Sequence, residues 1–297
     1  MEYTSNSDKI TRDYFDSLLL ETRYLDSVLP STKFELYNRC FDTPIMTAAL
    51  SHLDNTAPNG METYAQAAAK INAVHWVGMG DDKELEAITA TGAATIKIIK
   101  PHKDNRKVFQ KIEHAIKAGC FATGMDIDHA FNNNGGFDNV LGLPMQAKST
   151  EELKDFVQAA ASANLPFIVK GVLSTSDAEK CLKAGCKGIV LSHHHGSMNY
   201  SVPPLFMLKE ILSVISNEIP VFIDCGIESG MDAYKCLALG ATAVSVGRHL
   251  MPLLKKGDDA VSARIKEMTE ELAGIMARTG VCDLNHFDSS IIHKRDF

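Results

Sequence analysis

The feature that most constrains the fold of this chain is an alternation that repeats along most of its 297 residues. Short runs rich in apolar and β-branched residues are followed by amphipathic stretches. Such runs are typical of parallel strands covered on their outer face by helices. We predict eight strands, over residues 43–49, 74–79, 94–99, 121–126, 166–170, 188–192, 221–224 and 243–246.

The amphipathic stretches predict helices between these strands, over residues 60–70, 82–91, 105–118, 150–163, 176–184, 204–215 and 230–239. Ser149 and Ser174 precede acidic first turns and are expected N-caps. Gly119, Gly185 and Gly240 follow predicted helices, where a left-handed C-cap is common. Eight strands with helices between them indicate an α/β fold, a (β/α)8 TIM barrel. An open doubly wound sheet is disfavoured because no G-x-G-x-x-G follows the first strand.

Two segments fall outside this alternation. Residues 1–42 are predicted as a short N-terminal helical extension, and residues 43–297 as a single barrel domain. Within the extension, residues 8–24 form an amphipathic stretch expected to cap the barrel or an oligomer contact. Residues 128–147 form a long Asn- and Gly-rich loop after the fourth strand. Two interpretations of this loop remain, an active-site lid and a flexible connection. The apolar positions of the amphipathic stretch are Ile10, Tyr14, Phe15, Leu18 and Leu19.

Composition favours a small molecule as the partner of this protein. The net charge of −7, without a basic patch in the sequence, argues against binding to nucleic acid. No apolar run approaches the roughly 20 residues that cross a bilayer, and the start of the chain lacks a signal-peptide pattern. Seven scattered cysteines without a C-x-x-C pair indicate reduced thiols. The expected location is therefore the cytoplasm.

The predicted strand ends carry the chemistry, because barrels place functional residues there. Lys170 ends an apolar strand and points into the barrel mouth, where it could form a Schiff base or act as a fixed positive charge. His193, His194 and His195 follow the next strand. Their side chains alternate in direction, so they cannot easily converge on one metal ion, and no metal site is predicted. One of the three is expected to be a general base.

The last two strand ends predict a phosphate site. Asp224 and Gly226 follow the seventh strand, and Gly247 and Arg248 follow the eighth. In many barrels the loops after these strands hold a phosphate with backbone N–H groups, and the forked guanidinium of Arg248 suits the same ligand.

In order, residues 166–171 (PFIVKG), 192–196 (SHHHG), 224–227 (DCGI) and 246–248 (VGR) resemble the FMN-dependent 2-hydroxy-acid oxidase and dehydrogenase family, which includes glycolate oxidase and lactate oxidase. The resemblance implies FMN as cofactor and a homo-oligomer, commonly a tetramer. It also implies that Lys170 lies beside the flavin, that His194 abstracts the substrate proton, and that Asp126 orients His194.

The same resemblance implies the residues around the cofactor. Gly226, Gly247 and Arg248 match positions around the FMN phosphate. Gly78 replaces a hydroxyl-bearing flavin contact, and Lys97 stands in place of a flavin-contacting glutamine. The full implied cofactor set is Ala48, Ala49, Leu50, Gly78, Lys97, Lys170, Asp224, Gly226, Gly247 and Arg248.

The chain departs from the family pattern at the substrate. Ser197 stands in place of the arginine that pairs with the substrate carboxylate, and Ile99 in place of a substrate-binding tyrosine. Glu228 replaces an arginine beside the phosphate loop. A charge-assisted bidentate pair contributes about 1.5–3 kcal/mol, so a small 2-hydroxy acid is not the expected substrate. We expect an alcohol or related C–H donor, contacted by His193, His195, Ser197 and Ile99.

Three alternatives remain open from the residues. The first is an FMN-dependent isomerase without net redox change, similar to type 2 isopentenyl diphosphate isomerase. The second is a lyase of the aldolase type that forms a Schiff base on Lys170. The third is a non-catalytic flavin-binding barrel.

Overall fold

The computed structural model describes residues 5–297, and these form an eight-stranded parallel barrel. Neighbouring strands pair in chain order. The ring continues from the eighth strand to the first, and a parallel bridge between Leu50 and Val77 joins the first strand to the second. The predicted (β/α)8 barrel is confirmed, with strands β1 to β8 over Ile45–Thr47, Val74–Val77, Ala94–Ile99, Ala122–Asp126, Phe167–Val172, Gly188–Leu191, Val221–Ile223 and Ala243–Val246.

Helices follow each barrel strand and cover the outside of the sheet. The seven predicted helices are present with ends within two residues of those expected. Helix α1 precedes the barrel and α9 follows β8. The helices α1 to α9 span Asn6–Asp16, Gly60–Lys70, Asp82–Ala90, Asn105–Lys117, Thr150–Ala161, Thr175–Lys183, Pro204–Ile215, Gly230–Ala238 and Asp258–Arg278.

Local signals explain where several helices begin and end. Ser149 and Glu152 form a reciprocal capping box at the start of α5. The Ser174 side chain accepts the Asp177 backbone N–H at the start of α6. After α6, Gly185 adopts φ +85°, the left-handed C-cap conformation that glycine adopts without steric penalty.

Alternation along the strands separates two apolar layers. Trp76, Ile96 and Phe222 belong to a cluster that fills the barrel interior. Val77 and Ile99 belong to the larger cluster between the strands and the helices. Because neighbouring side chains of a strand point to opposite faces, this alternation also decides which residues reach the barrel mouth.

The N-terminal extension differs from the prediction. Residues 8–24 were expected to be one amphipathic stretch, but α1 ends at Asp16, and Leu18–Leu20 is a strand paired antiparallel with Ile292–Lys294. The Ser17 hydroxyl donates to the Tyr14 carbonyl at the helix end. Leu18 and Leu19 therefore lie on a strand, because backbone pairing with the end of the chain outweighs the local helical pattern. Residues 1–4 lie outside the described residues, and the domain boundary at residue 42 stays a prediction.

The loop over residues 128–147 folds back on itself. Asn139–Val140 pairs with Leu143–Pro144 in a short hairpin, and Phe131 bridges to Phe137. Whether the loop acts as a lid stays a prediction. Among residues 5–297, none of the helices combines the length and apolar character that a bilayer crossing requires.

Candidate active site

A cavity of about 780 Å³ opens at the C-terminal ends of the barrel strands, the end at which barrels place their active sites. Its volume lies within the range of small-molecule and cofactor sites. Most residues predicted from the sequence for the cofactor and the chemistry line it: Ala48, Ala49, Leu50, Lys170, His194, His195, Asp224, Gly226, Gly247 and Arg248.

Lys170 lies at the floor of this cavity and is almost fully buried. Its Nζ is 3.3 Å from Asp126 Oδ1 and 3.5 Å from Asp224 Oδ2. Burial alone would lower the pKa of Lys170, but the two carboxylates outweigh burial and raise the pKa above its ordinary value. Lys170 therefore carries a fixed positive charge. This disfavours the Schiff-base alternative, which needs a neutral amine.

Asp126 is held between two lysines. Lys100 Nζ donates to Asp126 Oδ2 at 2.7 Å, and Lys170 lies on the other oxygen. Burial alone would raise the pKa of Asp126, but the two ammonium groups hold it well below its ordinary value. The sequence prediction missed Lys100. Strand alternation could have revealed it. Ile96 and Ile98 on β3 face the barrel interior, and Lys100 is the next residue in that alternation.

Lys97 and Ile99, which are two of the predicted site residues, do not line the large cavity. Strand alternation turns Ile99 into the outer apolar layer. The Lys97 Nζ donates to the carbonyl of Gly78, and burial lowers the pKa of Lys97 to about 8. Both residues line a second, smaller cavity of about 410 Å³. Gly78 lies beside the first strand end, where its N–H donates to the Leu50 carbonyl.

His194 lies between two sets of neighbours. Its Nδ1 is 3.2 Å from Asp128 Oδ1, 3.5 Å from Lys170 Nζ and 4.0 Å from Asp126 Oδ1. Its Nε2 is 2.8 Å from His129 Nε2. That Asp126 orients His194 stays a prediction, and Asp128 lies nearer to His194 than Asp126 does. Neither Asp128 nor His129 was predicted from the sequence as a site residue.

The donor atoms of Asp126, Asp128, His129 and His194 lie within 4.8 Å of one another, as metal ligands would. However, His194 meets Asp128 through Nδ1 and His129 through Nε2. These nitrogens lie on opposite sides of the ring, so one ion cannot use both contacts. Lys170 also occupies the Nδ1 side. Of these contacts, the one between His129 Nε2 and His194 Nε2 has hydrogen-bond geometry, and Asp128 meets His194 at an ion-pair distance.

The other residues predicted to bind substrate differ in their position relative to α1 and the cavity. His193 is buried beneath this helix, with Nε2 2.8 Å from Thr11 Oγ1, and burial lowers its pKa. The Ser197 hydroxyl donates to the His193 carbonyl at 3.4 Å. Neither residue lines the cavity, and their contact with substrate stays a prediction. His195 does line it, and its Nδ1 is 2.8 Å from Asp8 Oδ1.

One corner of the cavity is suited to a phosphate. Gly226 adopts φ +80° in the loop after β7, and a Cβ on Gly247 would lie 3.2 Å from the Ala48 Cβ. Arg248 lies in this corner, and burial lowers its pKa to about 10. Arg12 of α1 also lines the cavity, and its guanidinium pairs with Asp232 at 2.8 Å. Arg12 was not predicted from the sequence, because it reaches the corner only through the packing of α1.

These features fit FMN. Ala48 and Leu50 line the cavity, and Lys170 supplies a buried positive charge to it. Gly226, Gly247 and Arg248 leave room and charge for a phosphate at one corner. Fold and cavity together define a barrel of the flavin-binding type.

Comparison with known proteins gives the family. The model of the FMN-dependent dehydrogenase family matches residues 3–164 and 145–294. The chain belongs to this family: it is an FMN-dependent oxidoreductase, and FMN is its cofactor.

Relatives and solved structures agree. The peroxisomal (S)-2-hydroxyacid oxidase GLO3 of Arabidopsis thaliana is 30% identical over 268 residues, which cover 80% of this chain and 74% of that protein. The 4-hydroxymandelate oxidase of Amycolatopsis orientalis is 27% identical over 282 residues, 84% of this chain and 79% of that protein. A mandelate oxidase crystallised with (S)-2-phenylpropionate superposes with a TM-score of 0.86 at 26% identity, covering 98% of this chain and 90% of that chain. These oxidases favour the oxidoreductase over the isomerase, lyase and non-catalytic alternatives.

Proposed function

We propose that this protein oxidises an alcohol or a related C–H donor and that His194 is the base that takes the substrate proton. The observation that carries the proposal is the joint position of His194 and Lys170. They end neighbouring strands, face the same cavity, and lie 3.5 Å apart between His194 Nδ1 and Lys170 Nζ. A base and a fixed cation thus flank one reaction space.

Lys170 and His194 have different roles in the proposed reaction. Bound FMN supplies the chemistry of accepting the electrons that the substrate loses. Lys170 keeps a positive charge at the cavity floor, because Asp126 and Asp224 hold it protonated. The imidazole of His194 can accept a proton at a ring nitrogen.

The relatives named above are oxidases of 2-hydroxy acids and of 4-hydroxymandelate, and we propose that this chain acts on a different donor. Ser197 stands in place of the arginine that pairs with the substrate carboxylate in the family pattern, and its hydroxyl donates to a backbone carbonyl. Beside His194 lie Asp126, Asp128 and Lys170. The two carboxylates there disfavour a substrate carboxylate at the reacting carbon.

We also propose that the protein is a cytoplasmic homo-oligomer. The resemblance to a commonly tetrameric family supports the oligomer, and the seven free thiols support a reducing compartment. Light scattering of the purified protein tests the oligomeric state, where a monomeric mass would contradict it. Microscopy of the tagged protein in its own cell tests the location.

The main test is spectroscopic. The purified protein, supplied with FMN, is expected to show the visible flavin bands and to lose them when mixed anaerobically with a panel of alcohols and hydroxy compounds. His194→Ala is expected to retain the flavin and to abolish its reduction. A protein that binds no flavin, or a His194→Ala variant reduced as fast as the parent, would refute the proposal.

A further inference from the structure

The carboxylate nearest to His194 is not the one that ends β4. Asp128 Oδ1 lies 3.2 Å from His194 Nδ1, whereas Asp126 Oδ1 lies 4.0 Å away. Asp128 belongs to the loop that follows β4, and its side chain is 15% exposed.

The two carboxylates also differ in how far their charge is compensated. Asp126 has Lys100 at 2.7 Å and Lys170 at 3.3 Å. These two ammonium groups largely compensate its negative charge without any contribution from His194. Asp128 has no lysine or arginine nitrogen within 4 Å in the described residues. Both its oxygens are buried without a hydrogen-bond partner in that same part of the chain. A buried carboxylate without a donor is unfavourable, and His194 is the ionisable group placed to relieve it.

The strand beside Asp128 is shaped to admit it. The pairing of β5 with β6 shifts register between Lys170 and Val172, and Gly171 within this bulge adopts φ +93°. A Cβ on Gly171 would lie 2.6 Å from the Asp128 Cγ. The absence of a side chain at Gly171 therefore holds open the space from which Asp128 meets His194.

We propose that Asp128, and not Asp126, is the positioning residue that orients His194 through Nδ1 and stabilises its protonated ring. The inference rests on the proposed function, in which His194 is the base. A carboxylate on Nδ1 fixes the proton there and leaves Nε2 as the basic nitrogen, as in other carboxylate–histidine pairs. Asp126 then serves to keep Lys100 and Lys170 charged.

The experiment is an NMR titration of the FMN-loaded protein labelled at histidine, with the His194 signal assigned from a His194→Gln variant. The charged and titratable groups that face His194 are Asp126 from β4, Lys170 from β5, and Asp128 and His129 from the loop. In Asp128→Asn the sum of these charges becomes more positive by one. The His194 titration is expected to move down by about one pH unit, a tenfold change in proton affinity.

The matched control is the double variant Lys100→Gln with Asp126→Asn, which removes Asp126 together with the ammonium group that pairs with it at 2.7 Å, so that the net charge of this pair is zero before and after. Its His194 titration is expected to stay close to that of the parent. The inference is overturned if Asp128→Asn leaves the titration in place, or if the double variant moves it as far as Asp128→Asn does. Circular dichroism and retained flavin absorbance establish that each variant is folded.

Kinetics provides the second readout. With a substrate that reduces the flavin, Asp128→Asn is expected to slow reduction at saturation roughly tenfold or more and to move the acid limb of the pH profile down, because the base is weaker. Unchanged reduction would overturn the inference. If the proposed function fails, no donor reduces the flavin in any variant, but the NMR titration still separates Asp128 from Asp126. Failure of the two ideas is thus distinguishable.

Discussion

His129 and His194 are in direct contact, with their Nε2 atoms 2.8 Å apart. The rings are nearly perpendicular, at 85°, and the Nδ1 of His129 lies 3.4 Å from Asp138 Oδ2 in the same loop. Burial, with Lys100 and His194 as further contributors, lowers the pKa of His129. A substrate hydroxyl that donates to Nε2 of His194 must therefore displace the His129 ring.

The first prediction follows from this contact. His129→Ala removes a hydrogen bond of about 0.5–1.5 kcal/mol that substrate must otherwise break. Steady-state and anaerobic kinetics are expected to show KM falling roughly two- to tenfold, with the saturated rate of flavin reduction little changed. His286→Ala, at an exposed histidine paired with Asp283, is the control. A higher KM with slower reduction would instead assign His129 to substrate binding.

The second prediction concerns the bulge in β5. Gly171→Ala places a side chain at φ +93° against Asp128, so we expect a loss of about 1 kcal/mol or more in the free energy of unfolding together with slower flavin reduction. Gly185→Ala is the matched control, because Gly185 has φ +85° and its nearest neighbour to an added Cβ is 3.6 Å away. Urea unfolding and stopped-flow spectra measure both effects. Equal slowing in the control would rule out an effect through Asp128.

The third prediction concerns Lys97, whose pKa burial lowers to about 8. Between about pH 8 and 10.4 the unfolded chain binds a proton that the folded protein has released, so stability rises with pH through this window. Lys97→Met removes the buried ammonium and is expected to stabilise the protein by about 1–3 kcal/mol near neutral pH, with the gain disappearing at alkaline pH.

Urea unfolding at several pH values measures this effect, and titration with FMN accompanies it. Because Lys97 lies outside the large cavity, FMN affinity is expected to be unchanged. Weaker FMN binding by Lys97→Met would instead show that Lys97 contributes to the cofactor site.

The fourth prediction separates the phosphate from the ring of the cofactor. Arg248→Gln removes a guanidinium from the phosphate corner, where a charged hydrogen bond contributes about 1.5–3 kcal/mol. FMN affinity is expected to fall roughly ten- to hundredfold. Riboflavin, which lacks the phosphate, provides the control and should bind the variant as it binds the parent. Fluorescence quenching measures both, and an equal loss for the two ligands would contradict the phosphate assignment.

The barrel could be predicted from sequence because its signals are local. The apolar runs, Ser149 and Gly185 specify strands, a helix start and a helix end within a few residues. The end of α1 could not be predicted in this way. The helical stripe continues to Leu19, and only pairing with the end of the chain turns Leu18–Leu20 into a strand.

The predicted residues line the cavity where a residue type coincides with a strand end, as at Lys170, His194 and Arg248. On β3 the expectation was displaced by one residue. A displacement of one residue along a strand reverses the side of the sheet. Ile99 therefore faces the outer apolar layer, whereas Lys100 follows the inward-facing Ile96 and Ile98.

Asp128 and His129 could not have been found by the same reasoning. They lie in a loop without periodic pattern, and their partner His194 is far away in the sequence. Only the folded chain brings the three together.

The pairing of Leu18–Leu20 with Ile292–Lys294 ties the tail of the chain to the helix that covers the cofactor corner. Further backbone bonds reinforce it, from Arg295 to Ser17 and from Glu21 to Ile291. The last residues thus act as a tether for α1 and for the guanidinium of Arg12. A proteolytic cut that releases Ile292–Lys294 is therefore expected to weaken the retention of FMN, although the cut lies away from the cofactor corner.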